Sequence, residues 1–441
     1  MIARLVAHER WLPALAAAAW WVTFYPGFFG DDSLINLGEA RSGSISVWFT
    51  AWWVYVVDAL SLGTRAIPLM TLLSVFGLEY AVYLWIATVF PPGRARAITV
   101  AIIAFTPLAG AIGIQVRHDV TMTSGLLIAA AVLTRSWSKD QFSAGDLALL
   151  AFTAPLIATR HNGLPTILAA AAGCAILRRW RHAGALAAVA AGAALITYGA
   201  TKAAGHTRGP RDADFASWGG AASVHPMQTV EWLMGDISCA LTTPGVEPTP
   251  AEWAVLTRIA APSDWPNERA CYVMNPLHTA RSFSVTAVVT NYRDLPGVWL
   301  SLARRYPARI IAAHATRVRL FLPPFAAGMP DTFIISFLHS TILPNDFGLQ
   351  WAMPAVAERA RVVVKAWNAA GFVLANSALW LIVLGVLGSV RTPTFLIAAC
   401  LNLGLILAAP ISEGRYGLFI LICGQATALF WVLERWQTKR A

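Results

Sequence analysis

The residues best placed to do chemistry are two adjacent carboxylates, Asp31-Asp32, in the run Tyr25-Pro26-Gly27-Phe28-Phe29-Gly30-Asp31-Asp32-Ser33. They follow an apolar segment, residues 11–29, that is long enough to cross a bilayer. Two acids at the mouth of a membrane helix repel each other and lose solvation. Such a pair fits an acid/base or cation site better than it fits packing. The plainer alternative is a solvated turn in which Asp32 caps a helix starting at Ser33-Leu34-Ile35. Three further polar clusters stand out: Arg117-His118-Asp119, Arg160-His161-Asn162-Gly163 and Glu413-Gly414-Arg415-Tyr416. A carboxylate can take the proton of an acceptor hydroxyl, and guanidinium groups can grip phosphate oxygens with two parallel hydrogen bonds. Taken singly, each Arg is better explained by reaching to lipid headgroups, and each His by a structural hydrogen bond. Asp119 most simply pairs with Arg117 or caps the helix that begins near Val120.

The elements that must position these clusters are membrane helices. Apolar residues make up 57% of the chain, charged residues only 13%, and the mean hydropathy is +0.58, which predicts an all-α polytopic membrane protein. The net charge of +10 does not point to nucleic acid, because the basic residues are scattered at helix ends rather than gathered on one face. Arg4 and Arg10 precede the first apolar stretch without a small-residue cleavage site after it, so a retained signal anchor is expected. Ten spans are predicted, at 11–29, 67–90, 97–115, 120–134, 146–159, 163–177, 183–203, 368–389, 394–411 and 416–433. Between the first two, an aromatic segment with Trp48, Trp52, Trp53 and Tyr55, interrupted by Asp58, reads as interfacial or re-entrant.

Sorting the turns alternately separates two chemistries. One set holds Arg94/Arg96, Arg135/Lys139, Arg178/Arg179/Arg181, Arg391 and Arg435/Lys439/Arg440, the basic pattern of cytoplasmic loops. The other set holds every unusual polar cluster, which places the candidate site on the outer face and both termini in the cytoplasm. The chain then divides into a transmembrane module (1–203), a large outer-face region rich in Pro, Gly and Trp (204–367), and C-terminal spans (368–441). Within the outer region, 308–325 is expected to be an amphipathic interfacial helix rather than a span. Cys239 and Cys271 are its only thiols, and an oxidising compartment lets them pair, with two separate thiols as the alternative. Cys174, Cys400 and Cys423 lie in spans as small apolar fillers.

The acidic pair in the first outer loop, right after the first span, resembles the hallmark of GT-C membrane glycosyltransferases, the superfamily of protein O-mannosyltransferases and aminoarabinose transferases. Tyr25-Pro26-Gly27 and Asp32-Ser33, with the Arg-His-Asp and Arg-His-Asn-Gly turns, are similar to a bacterial branch with little assigned chemistry. The resemblance covers mainly residues 20–165, with a weaker match at Arg415-Tyr416 and none in 204–367. It implies a polyprenyl-phosphate-linked sugar as donor and a cell-envelope glycan, lipid or protein as acceptor, at a bacterial plasma membrane. It implies Asp31 or Asp32 as catalytic base, with Arg117, His118, Arg160, His161 and Arg415 on the donor phosphate and Trp52 and Tyr416 on the sugar or acceptor. Some members of the superfamily use a divalent cation and others do not. The spacing here has no metal-ligand signature, although Asp212, Asp214 and Asp236 are candidates for a metal or acceptor contact. The chain departs from the branch at Val47-Trp48-Phe49, where relatives show Trp-His-Pro, and this bears on the donor. Three other classes are weighed: a lipid-linked-sugar flippase or transporter, a membrane O-acyltransferase using His161 with Asn162, and a structural membrane subunit.

Overall fold

The computed structural model describes residues 6, 8–27, 31–42, 45, 50–204, 227–271, 277, 280–322, 351–369, 376–388, 392–409 and 414–439, and among these it is all-helical. The helices are α1 (Leu12–Thr23), α2 (Asp31–Ser42), α3 (Ala51–Leu60), α4 (Ile67–Val89), α5 (Arg94–Phe105), α6 (His118–Trp137), α7 (Ala144–Ile157), α8 (Gly163–Ile176), α9 (Trp180–Ala204), α10 (Met227–Ala240), α11 (Pro250–Ile259), α12 (Val285–Asn291), α13 (Leu295–Arg305), α14 (Pro307–Arg317), α15 (Pro354–Ala369), α16 (Ser377–Leu387), α17 (Pro393–Ala408) and α18 (Leu418–Thr438). Four of them, α4, α6, α9 and α18, are long and apolar enough to cross a membrane, and α3, α7, α8, α16 and α17 are shorter apolar helices. Membrane helices of this kind satisfy their own backbone groups, which is what lets a chain this apolar cross lipid.

Sequence explains most helix boundaries. Helix α4 stops at Val89, ahead of Phe90-Pro91-Pro92. The expected span 97–115 is interrupted: α5 ends at Phe105, Thr106 is extended ahead of Pro107, and only one further turn, Gly110–Gly113, follows. That turn approaches α1 so closely that a side chain at Gly110 would occupy the place of the Trp20 indole. Ser143 and Asp146 form a reciprocal cap at the start of α7, and Thr249 and Glu252 do the same for α11.

Helix α6 lies at the centre, buried on nearly every face from His118 to Leu133, with α4, α7, α17 and α18 around it. Small residues let α8 and α9 pack closely, with Ala170, Ala171, Cys174, Ala183, Ala190 and Ala193 all buried. At one end of this bundle the basic turns are paired: Arg96 with Glu9, Arg135 with Asp146 at 2.8 Å, and His182 with Asp140 at 3.1 Å. Phe90 stacks on Phe430 there, and the Trp85 indole donates to Thr394 Oγ1 at 3.0 Å.

A second core belongs to α10–α14. Ile237, Leu256, Trp265, Leu295 and Leu302 are fully buried in it, and the Cys239–Cys271 disulfide joins α10 to the turn after α11. Helix α14 covers the first part of the segment expected to be amphipathic, and its Ile310 and Ala313 pack into this core. Residues 351–364 return to the main bundle: the Trp351 indole donates to Gly27 O at 3.1 Å, and Ala357 and Val364 are buried with it. Leu302→Ala should lower the stability of the second core by about 2–5 kcal/mol, read as an earlier unfolding transition in detergent, because the cavity lies under α13 and cannot fill from solvent.

Candidate functional site

The polar turns meet at the end of the bundle opposite the paired basic turns. Arg117 is the extended residue just before α6, so His118 and Asp119 occupy that helix's first turn. An acid there faces the positive end of the helix dipole. Arg160 sits in the turn between α7 and α8, and its guanidinium forms an ion pair with the Asp119 carboxylate, which is fully buried. The other face of that guanidinium lies over the Tyr416 ring, 4.1 Å from its centroid. Three sequence-distant clusters therefore share one place, and Asp119 pairs with Arg160 from another turn. The Asp119 carboxylate also lies 3.9 Å from His118 Nε2.

Local chemistry fixes this turn. The tightening at Thr159, whose N–H bonds Leu156 O at 3.4 Å, leaves the Pro155 carbonyl without its usual helical donor. The Trp52 indole supplies one at 2.8 Å. Thr50 caps α3 and donates to Thr159 O at 2.9 Å, while the Thr159 hydroxyl reaches His118 O at 3.4 Å. Gly163 N–H closes the turn on Arg160 O at 3.1 Å, and a side chain at 163 would collide with the Ile157 carbonyl.

The acidic pair reaches the same neighbourhood through α2. Asp31 and Asp32 are both helical in it, so Asp32 lies within the helix instead of capping it. The side chains of Asp31 and Asp32 lie outside the described residues, as does that of Arg415. From α2, Leu37 packs with Trp53, Val57, Met70 and Val116 in a small apolar cluster. Trp53 in turn meets the His118 ring edge-on with centroids 6.3 Å apart. One packing chain thus links the helix headed by the carboxylates to the Arg117-His118-Asp119 turn.

The expected site residues are not all drawn in equally. Arg117 and His118 are buried, Arg160 is nearly so, and Tyr416 is buried under it, whereas His161 stands exposed on the turn. Trp52 spends its indole N–H on the α7 backbone, and Tyr416 gives a ring face to Arg160. Among the described residues no three His, Cys, Asp or Glu side chains gather as a metal-binding group. Asp236, weighed from sequence as a metal or acceptor contact, is fully buried and paired with Arg317 on α14. Two buried acids carry no sequence signal beyond their types: Glu39 on α2 and Glu79 midway along α4. Glu79 is visible in sequence only as a lone acid within an apolar run.

Asp119→Asn should destabilise the protein by about 3–5 kcal/mol, because it removes a buried carboxylate that the Arg160 cation pairs with. Asp119→Asn combined with Arg160→Gln should recover much of that loss, and thermal unfolding of the four proteins in detergent measures the coupling. Equal, additive losses would show that the pair does not hold the turn. No protein-family model, curated protein or solved structure matches the chain, so a functional reading has to stand on this arrangement of side chains.

Proposed function

We propose that the protein is a GT-C-type glycosyltransferase that moves a sugar from a polyprenyl-phosphate donor to a cell-envelope acceptor at the outer face of a bacterial plasma membrane. In this reading the chain crosses the membrane ten times, with both termini in the cytoplasm. The observation that carries it is the convergence of Arg117, His118, Asp119, Arg160 and Tyr416 at one end of the bundle, next to the helix that Asp31 and Asp32 open. That end is opposite the basic turns, as the positive-inside asymmetry requires of an outer-face site.

The chemistry follows from these groups. Asp31 or Asp32 takes the proton of an acceptor hydroxyl, the oxygen attacks the anomeric carbon, and the bond from that carbon to the phosphate oxygen breaks with inversion. Negative charge grows on the leaving lipid phosphate, and the Arg117 and Arg160 guanidiniums are the cations nearest to hand. Asp119 and Tyr416 keep Arg160 in one orientation, so it does not have to be ordered during the reaction. An outer-face site has no cytosolic nucleotide donors, which is why the activated sugar comes attached to lipid.

A second reading, transport or flipping of a lipid-linked sugar, is favoured by Glu79. It is 1% exposed at the midpoint of α4, and ionisable groups buried at that depth characterise transport pathways.

Sugar transfer from a radiolabelled polyprenyl-phosphate pool in proteoliposomes separates the two. Asp31→Asn or Asp32→Asn should slow transfer about 10²–10⁴-fold with the fold intact. Arg160→Lys should slow it about tenfold to a hundredfold, because an ammonium reproduces neither the planar fork nor the stacking on Tyr416. Wild-type rates in both Asp variants would end the base assignment. Lipid-linked sugar that changes leaflets without transfer, and stops doing so in Glu79→Gln, would favour transport.

A further inference from the structure

Away from that site, the second core meets the membrane bundle through the residues that follow α14, where Asn402 donates to Phe321 O at 3.0 Å, and through a histidine on α14 itself. Asp236 on α10 is fully buried and accepts from the Trp299 indole at 2.9 Å, beside its ion pair with the equally buried Arg317. His314, one turn before Arg317 on α14, places Nδ1 3.1 Å from Asp236 Oδ2. Its other nitrogen, Nε2, lies 2.7 Å from the carbonyl oxygen of Ile406, near the C-terminal end of α17. That carbonyl lacks a helical donor for a reason written in the sequence: the residue four positions on is Pro410, which has no N–H.

Both ring nitrogens therefore face acceptors. A carbonyl oxygen cannot donate, and neither can an ionised carboxylate, so making both bonds requires a hydrogen on each nitrogen, which is the imidazolium form. The charged groups that face it are Asp236 on α10 and Arg317 on α14. Glu231 on α10, 5% exposed, is the other titratable group of the cluster. Burial pushes its carboxyl up to about 8, against the pull of the Arg317 guanidinium. Helix α17 contributes no charged side chain at this contact.

We infer that His314 is a protonation-dependent latch holding the α10–α14 unit against the end of α17. Neutral imidazole has one N–H, so losing the proton gives up either the bond to Asp236 or the bond to Ile406. The sign follows: docking is favoured at low pH and weakens as pH rises through the loss of the imidazolium proton. Helix α17 also packs against the Gly414–Gly417 turn that presents Tyr416 to Arg160, so the latch bears on the end of the bundle where the polar turns meet. The inference does not depend on which reaction occurs there.

The test uses the full chain in nanodiscs, with Cys174, Cys400 and Cys423 replaced by alanine and spin labels at Ala254 on α11 and Leu403 on α17, both exposed. The docked-distance population should fall severalfold between about pH 5.5 and about pH 8.5. His314→Gln keeps an amide donor that does not titrate and should flatten the response. Pro410→Ala should flatten it too, because it returns a backbone donor to the Ile406 carbonyl without touching the second core. Glu231→Gln should leave the response in place, since it removes only the other titrating group. A wild-type distance distribution unchanged across this range would overturn the latch. So would a response that survives His314→Gln and disappears in Glu231→Gln.

Discussion

A carboxylate stripped of water must find a cation, and in this protein Asp119 finds Arg160. The two come from turns about forty residues apart, at the start of α6 and between α7 and α8, and their pairing fixes the relative height of the bundle's central helices. Desolvating both charges is costly, so the pair adds little net stability, but it makes other registers of these helices far more costly. A slip by one turn would leave a buried ion alone. The other contacts at this end fall in with that register: Thr50 on the Thr159 carbonyl, Trp52 on Pro155, and Tyr416 under the guanidinium.

The same logic recurs between the second core and the bundle. Asp236 is buried among an indole N–H, an imidazole and a guanidinium, and the imidazole alone reaches across to α17. A proline removes one backbone donor in α17, and a histidine from another unit takes its place. At the end of α7 the tightened last turn frees the Pro155 carbonyl, and a tryptophan on α3 satisfies it. In a membrane bundle apolar contact is a weak guide, because lipid is as apolar as leucine. Unsatisfied backbone carbonyls then become the points to which neighbouring elements are directed.

The sequence determined the class of this protein and much of its helix layout. Composition required apolar helices, and α4 and α7 ended close to where the pattern placed them. The grouping of Arg-His-Asp and Arg-His-Asn-Gly on one side was legible from the alternation of basic and unusual turns. The short aromatic segment after the first span proved to include a ten-residue helix, α3, that runs through Asp58. The break at Thr106-Pro107 was present in the residues, yet apolarity alone predicted an unbroken span, because hydropathy registers side chains and not the missing N–H.

Partnership was decided only in three dimensions. Nothing local marks Arg160 as a mate of Asp119. The extended backbone at Arg117 and the tight Gly163 turn bring the two into contact. Arg317 and His314 read from sequence as polar interruptions of an interfacial helix, and tertiary packing turned them inward onto Asp236, itself read from sequence as a candidate metal or acceptor contact. Glu79 gave no pattern at all, because a single carboxyl in an apolar run acquires meaning only from what surrounds it. Sequence sets which groups need partners, since burial and charge are properties of residue type and local hydropathy. Structure assigns the partners, since that depends on which helix ends arrive at the same height.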